Sequence, residues 1–174
     1  MRTIINGDAY RFISSCDKDF IIAFDGEMNR LGYTCGQTIG EGYCWGRKMI
    51  IYTKAGVKSK KSYARVYIRD DGLILRMYFS NVDKHAQAIG QAPDYIRNAF
   101  VGDYGTCKHC HNEKSGGACA HRKTYSVNDK KYELCDGFAF WFYQPDARRL
   151  PEYIKLFLLF YPDKKSGPCV PYSG

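Results

Sequence analysis

Two runs, Ser62 to Arg69 and Leu73 to Ser80, are rich in β-branched, aromatic and long aliphatic residues, and Asp70-Asp71-Gly72 joins them. Glycine supplies the positive φ that a tight reversal demands, so the pair reads as an antiparallel hairpin. In the second run Leu73, Leu75, Met77 and Phe79 fall on one face, and Ile74, Arg76, Tyr78 and Ser80 on the other. That is the period-two alternation of a half-buried sheet. A further run, Tyr43 to Tyr52, precedes the hairpin, so an antiparallel sheet is the frame that the rest of the chain must fit.

Helical signals flank this sheet. Asp17 or Asp19 is placed to cap a helix carrying Phe20, Phe24, Met28 and Leu31 as an apolar stripe that ends at Gly32. Asn81 or Asp83 opens a short helix to about Ile89, and Pro93 opens another. Phe138 to Tyr143 is aromatic on both faces, as a central strand covered on two sides would be. Asp146 or Pro151 then starts a last helix with Ile154, Phe157, Leu158 and Tyr161 on one face, stopped by Pro162. The fold class is therefore α+β: an antiparallel sheet flanked by helices.

At 174 residues the chain is one domain's worth, 1–174, and can bury about two-thirds of its unfolded surface. Disorder, collagen-like repeats and small disulfide scaffolds are excluded. The opening MRTIINGDAYRF has no basic stretch followed by an apolar run, and the longest apolar stretch, Leu156 to Tyr161, is too short to span a bilayer. A cytoplasmic protein with no membrane partner is expected. Its eight cysteines then read as metal ligands or core thiols rather than disulfides.

Four of them form Cys107-x2-Cys110-x8-Cys119-x15-Cys135. The first pair has the spacing in which two thiolates from one turn converge on a tetrahedral ion. Lys123 to Val127 and Lys131 to Leu134 are expected to pair across Asn128-Asp129, which returns Cys135 towards Cys119. Sulfur ligands suit zinc, and four protein ligands leave no open position, so a structural zinc ion in an insertion spanning 103–136 is the expectation. His109, His111 and His121 lie beside the thiols, with His121 in place of Cys119 as the main variant ligand set.

Gly42 to Arg69 holds Arg47, Lys48, Lys54, Lys58, Lys60, Lys61, Arg65 and Arg69 and no acidic residue, which accounts for the whole net charge of +8. The cysteine-rich segment is nearly neutral. A polyanion would therefore bind along the basic hairpin 47–69, with Lys54, Lys58, Lys60, Lys61, Arg65 and Arg69 as contacts. Tyr63, Arg65, Tyr67 and Arg69 alternate onto one face, where a tyrosine can stack a base and an arginine can meet a phosphate.

No phosphate-binding glycine loop, G-x-S-x-G elbow or H-E-x-x-H helix is present, so nothing in the motifs supports an enzyme. His85 reads as a surface helical residue, and Asp25 and Glu27, two apart on a helix, point in different directions. Trp45, Tyr63, Tyr67, Tyr78 and Trp141 are candidates to line a ligand pocket against the sheet.

In Trp45 through Phe79 and in Phe138 through Tyr161 the chain resembles the YdhG-like fold family of small bacterial domains. The resemblance implies the same α+β frame and carries over no functional residue. Iron handling on an acidic surface, which it would suggest by analogy with frataxin, runs against the basic balance here, and the cysteine insertion departs from the family pattern. The sequence thus reads as a zinc-containing cytosolic binding protein for a small molecule or a protein partner. Nucleic-acid binding is the alternative.

Overall fold

The computed structural model describes residues 1–58, 61–101, 123–134 and 138–163. It is an α+β fold. A sheet is built from β1 (Tyr33–Thr34), β2 (Gly40–Glu41), β3 (Lys48–Lys54), β4 (Ser62–Arg69), β5 (Gly72–Tyr78) and β8 (Ala139–Tyr143), in the order β1-β3-β4-β5-β8 with β2 also on β3. All its pairings are antiparallel. Two further strands, β6 (Lys123–Val127) and β7 (Lys130–Leu134), form a separate hairpin. Helices α1 (Arg2–Ile5), α2 (Ser15–Arg30), α3 (Ala86–Gly90), α4 (Asp94–Val101) and α5 (Leu150–Phe160) complete it. No described helix is long and apolar enough to cross a membrane.

The alternation of β5 is as the sequence predicts. Leu73, Leu75, Met77 and Phe79 enter the main core with Ile50, Tyr52, Val66, Ile68, Phe140 and Phe142 from neighbouring strands. Helices bury Phe20, Phe24, Ile96, Phe100, Ile154 and Phe157 against them. Arg69 pairs with Gly72 across the Asp70-Asp71 reversal, and Gly72 takes φ 122°. In α2 the apolar stripe is confirmed but the cap is not Asp17 or Asp19. Ser14 stands one residue before the helix in extended conformation, and its Oγ accepts from the Asp17 N–H at 3.1 Å.

Three of the expected elements differ, and the short strands β1 and β2 were not expected. The strand expected over Tyr43 to Tyr52 begins at Lys48, because Tyr43–Trp45 form a 3₁₀ turn with Tyr43 at φ 52°. The aromatic run starts its strand at Ala139 and lies at the sheet edge, bonded only to β5 among the described strands, not at the centre. It is apolar on both faces for another reason: Trp141 joins a second, smaller cluster on the face away from the helices. Third, the register of β3 on β4 shifts between Tyr52, opposite Ala64, and Thr53, opposite Ser62. Tyr63 is the extra residue, and such a bulge turns a side chain off its expected face.

The hairpin β6–β7 turns at Asn128 and Asp129, φ 48° and 61°, as read from the sequence. It is docked on the domain: Tyr125 and Val127 are buried in the main core, the Tyr125 hydroxyl donates to the Phe100 carbonyl, and the Ser126 N–H donates to Asp83 at 2.8 Å. This part of 103–136 is held by apolar packing. Cys107, Cys110, Cys119, Cys135 and His121 lie outside the described residues.

Burial is the first cause that raises the pKa of Tyr33, Tyr52, Tyr125, Tyr153 and Tyr161, with Tyr153 pushed up to about 12. A phenol whose folded pKa exceeds the unfolded value of about 10 contributes stability that is complete below pH 10 and lost as pH rises through the folded value. Alkaline titration is therefore expected to show tyrosinate absorbance rising together with loss of native circular dichroism from about pH 10 upwards. Ionisation of all the tyrosines near pH 10 with the fold intact would contradict this.

Candidate functional site

The reading as a zinc-containing binding protein is corrected here. Among the described residues no group of three or more His, Cys, Asp or Glu side chains is placed to hold a metal ion. The described thiols are far from forming one: Cys16 and Cys44 are exposed and free, and Cys35 is buried, donating to Asp25 Oδ1 at 3.4 Å. Burial, and then the Asp25 charge, raise the Cys35 pKa, which opposes the thiolate a metal requires. The histidine and carboxylates weighed for catalysis are engaged in packing and pairing. Burial, and then Lys84, lower the His85 pKa, its ring packs edge-on against Phe160 at 4.5 Å, and Asp83 is engaged by Ser126. Asp25 is buried in the core, while Glu27 pairs on the surface with Arg30 at 2.8 Å.

The five pocket candidates do not converge on one cavity. The bulge sends Tyr63 to the helix side, where its ring lies 4.9 Å from those of Tyr33 and Tyr161. Tyr67, Tyr78 and Trp141 share the opposite face with Trp45. Tyr67 and Trp141 stack at 5.9 Å with an 11° interplanar angle, and Trp45 closes on Trp141 at 4.7 Å. Register places Ile51, Arg65, Arg76 and Trp141 in one row across four strands, and Met49, Tyr67, Ile74 and Tyr143 in the next. The Arg76 guanidinium lies 4.5 Å from the Trp141 ring centroid and donates to the Tyr67 hydroxyl at 3.2 Å; Arg65 donates to the same oxygen at 3.4 Å. Arg76 is 4% exposed and Trp141 9%, while Ile51 and Arg65 are half-buried, so the row is packed at its Arg76–Trp141 end rather than open as a pocket wall. The sequence carries no functional signal for Arg76, since one arginine within an alternating strand reads as a solvent-facing residue.

The acid-free segment resolves into three groups. Arg47 pairs with Asp70 at 2.9 Å, Arg69 with Asp71 at 2.8 Å, and Lys48 with Glu41 at 2.5 Å, so acids just outside the segment offset the basic residues at one end of the sheet. Arg65 is turned to the Tyr67 hydroxyl, with Tyr78 under its guanidinium at 5.4 Å. Lys54 and Lys58 lie at the other end, on and beside the β3–β4 connection, which is exposed throughout its described part, and Lys61 opens β4's side of it. Lys61 leans over the Tyr63 and Tyr161 rings at 5.1 and 5.8 Å. Lys60 lies outside the described residues.

The offset end carries an aromatic surface. Tyr43 is 82% exposed, Trp45 46% and Tyr143 54%, and they account for three of the four large exposed hydrophobic side chains among the described residues. A cleft of about 530 Å³ lies here, lined by Tyr43, Trp45, Arg47, Arg69, Asp70 and Asp71 among others. Two glycines shape it. A Cβ on Gly42 would stand 2.2 Å from the Gly46 carbonyl oxygen, and one on Gly46 would stand 2.8 Å from that of Ile68. The sequence signal was the pair of glycines bracketing Tyr-Cys-Trp, which a strand reading of Tyr43 to Tyr52 passes over. Compared with known proteins, the chain matches no family model, no curated protein and no solved structure.

Proposed function

We propose that the protein binds nucleic acid without sequence preference, through the lysine-rich connection between β3 and β4. One observation carries this reading. The basic residues at the base of the acid-free segment sit against Glu41, Asp70 and Asp71, whereas Lys54 and Lys58 are exposed and make no ion pair with a described carboxylate. The excess charge of the segment is thereby collected at one end of the sheet, with Lys61 and the Tyr63 ring beside it. Phosphate contacts by lysine release counterions and supply most of non-specific affinity. The connection's exposed apolar residue, Val57, is too little to anchor a lipid surface.

Binding to single-stranded and duplex oligonucleotides is expected at a Kd of about 10⁻⁴ to 10⁻⁶ M, weakening steeply with salt. The double variant Lys54→Ala/Lys58→Ala is expected to flatten the log–log salt slope by about 1.5. Absence of binding tighter than about 10⁻⁴ M at low salt, or an unchanged slope in the double variant, would reject the reading. Equal lysine-dependent binding to anionic vesicles would move it to a membrane surface.

A further inference from the structure

We infer that the aromatic end of the sheet is a self-association surface, and that its partner is a second copy of this chain. This stands apart from the lysine connection, which lies at the far end of β3, about 20 Å away for a seven-residue strand.

Charge argues for a copy of itself. A two-fold contact brings the same patch onto itself, so it must be its own electrostatic complement. The cleft rim carries Arg47 and Arg69 with Asp70 and Asp71, two of each sign, in a chain whose net charge is +8. These pairs are exposed, with Arg47 at 53% and Asp70 at 77%, so each can exchange its partner for the equivalent group of a second molecule. A rim made for an acidic partner would lack the aspartates, and one made for a basic partner would lack the arginines.

Shape points the same way. Tyr43, 82% exposed, forms one wall of the 530 Å³ cleft, and a two-fold axis near Trp45 would set each Tyr43 ring against the cleft of the other molecule. Tyr43 holds φ 52°, a left-handed conformation that costs a bulky residue energy, while presenting its ring almost entirely to water. Such strain persists where a surrounding structure or a function maintains it. Here Gly42 and Gly46 close the turn that holds the ring outward. Tyrosine, tryptophan and arginine are the residues that dominate contact energy between proteins, whereas lysine is depleted there; Lys54 and Lys58 lie at the other end, and Lys48 at this end is paired with Glu41. Pairing would also set two lysine connections on one particle, raising avidity for a long polyanion without any new contact.

Sedimentation equilibrium over a concentration range up to about 200 µM, which reaches dissociation constants in the micromolar class, reads this directly. The wild type is expected to form a reversible dimer, and Tyr43→Ser, which removes an exposed ring only, is expected to weaken it at least about tenfold. Arg47→Asp/Arg69→Asp and Asp70→Arg/Asp71→Arg should each be monomeric, and an equimolar mixture of the two should pair, with thermal melts confirming that both are folded. A wild type monomeric throughout overturns the proposal and leaves the surface to a foreign partner. A dimer unaffected by Tyr43→Ser and by the rim variants overturns it too, by placing the contact elsewhere.

Discussion

Replacing Phe79 by alanine is expected to lower the unfolding free energy by about 3–5 kcal/mol, a large part of the 5–15 kcal/mol that holds a domain of this size together. Phe79 follows β5 and is 1% exposed. Its ring stacks on Phe160 of α5 at 4.1 Å, on Phe100 of α4 at 6.1 Å and against Phe140 of β8 at 5.8 Å. One side chain therefore touches two helices and the edge strand, and its loss leaves a cavity that three separately anchored elements cannot all move to fill. Phe79→Leu, which keeps most of the volume, should cost far less. Chemical denaturation of both variants checks this: a loss for Phe79→Ala under about 1 kcal/mol would mean that the contact between helices and sheet does not depend on this ring.

Asp25→Ala is expected to cost about 3 kcal/mol or more, for a different reason. Asp25 is 6% exposed on α2, and three groups from distant parts of the chain meet its carboxylate. The Tyr52 hydroxyl donates to Oδ1 at 3.3 Å, the Cys35 thiol donates to the same oxygen at 3.4 Å, and the Met1 ammonium lies 3.7 Å from Oδ2 while donating to Gln37. Truncation strands a buried cation and a buried hydroxyl, and leaving such groups unpaired costs more than making the pair contributes. The Tyr52 pKa is raised by burial first and by Asp25 second, which favours the protonated phenol that donates to the carboxylate. Tyr52→Phe alone should cost about 1 kcal/mol. In the double variant the two losses should fail to add, because Asp25 and Tyr52 share one contact. Strict additivity of the two losses would show that they act separately.

These two sites differ in how far the sequence revealed them. Phe79 was legible as the last member of the Leu73, Leu75, Met77 alternation, because side chains two apart on a strand share a face whatever packs against it. Asp25 was legible only as a helical residue unable to pair with Glu27. That Cys35 and Tyr52 would meet it depends on how α2 crosses the sheet, and no local spacing encodes a crossing. The same division runs through the candidate sites. The eight basic residues could be counted from the sequence, but Asp70 and Glu41 offset Arg47 and Lys48 only after β2, β3 and β4 align, whereas Asp71 meets Arg69 locally, two residues away. The row Tyr63, Arg65, Tyr67, Arg69 assumed an unbroken alternation, and a single bulge opposite Tyr52 and Thr53 removed Tyr63 from it.

The amino-acid sequence by itself determined the β4–β5 and β6–β7 hairpins, the α+β class and the buried faces of α2 and β5, because these follow from periodicity and turn chemistry that act over a few residues. It also placed the Asn128-Asp129 turn and the stop at Pro162, where backbone sterics leave little choice. The tertiary structure alone decided that the aromatic strand is an edge among the described strands, that Arg65 and Arg76 meet at the Tyr67 hydroxyl, and that Lys54 and Lys58 lie at the end of the sheet away from the exposed aromatics. Each of these is a relation between segments far apart in the chain. Residue spacing along one strand carries no information about which strand will lie beside it.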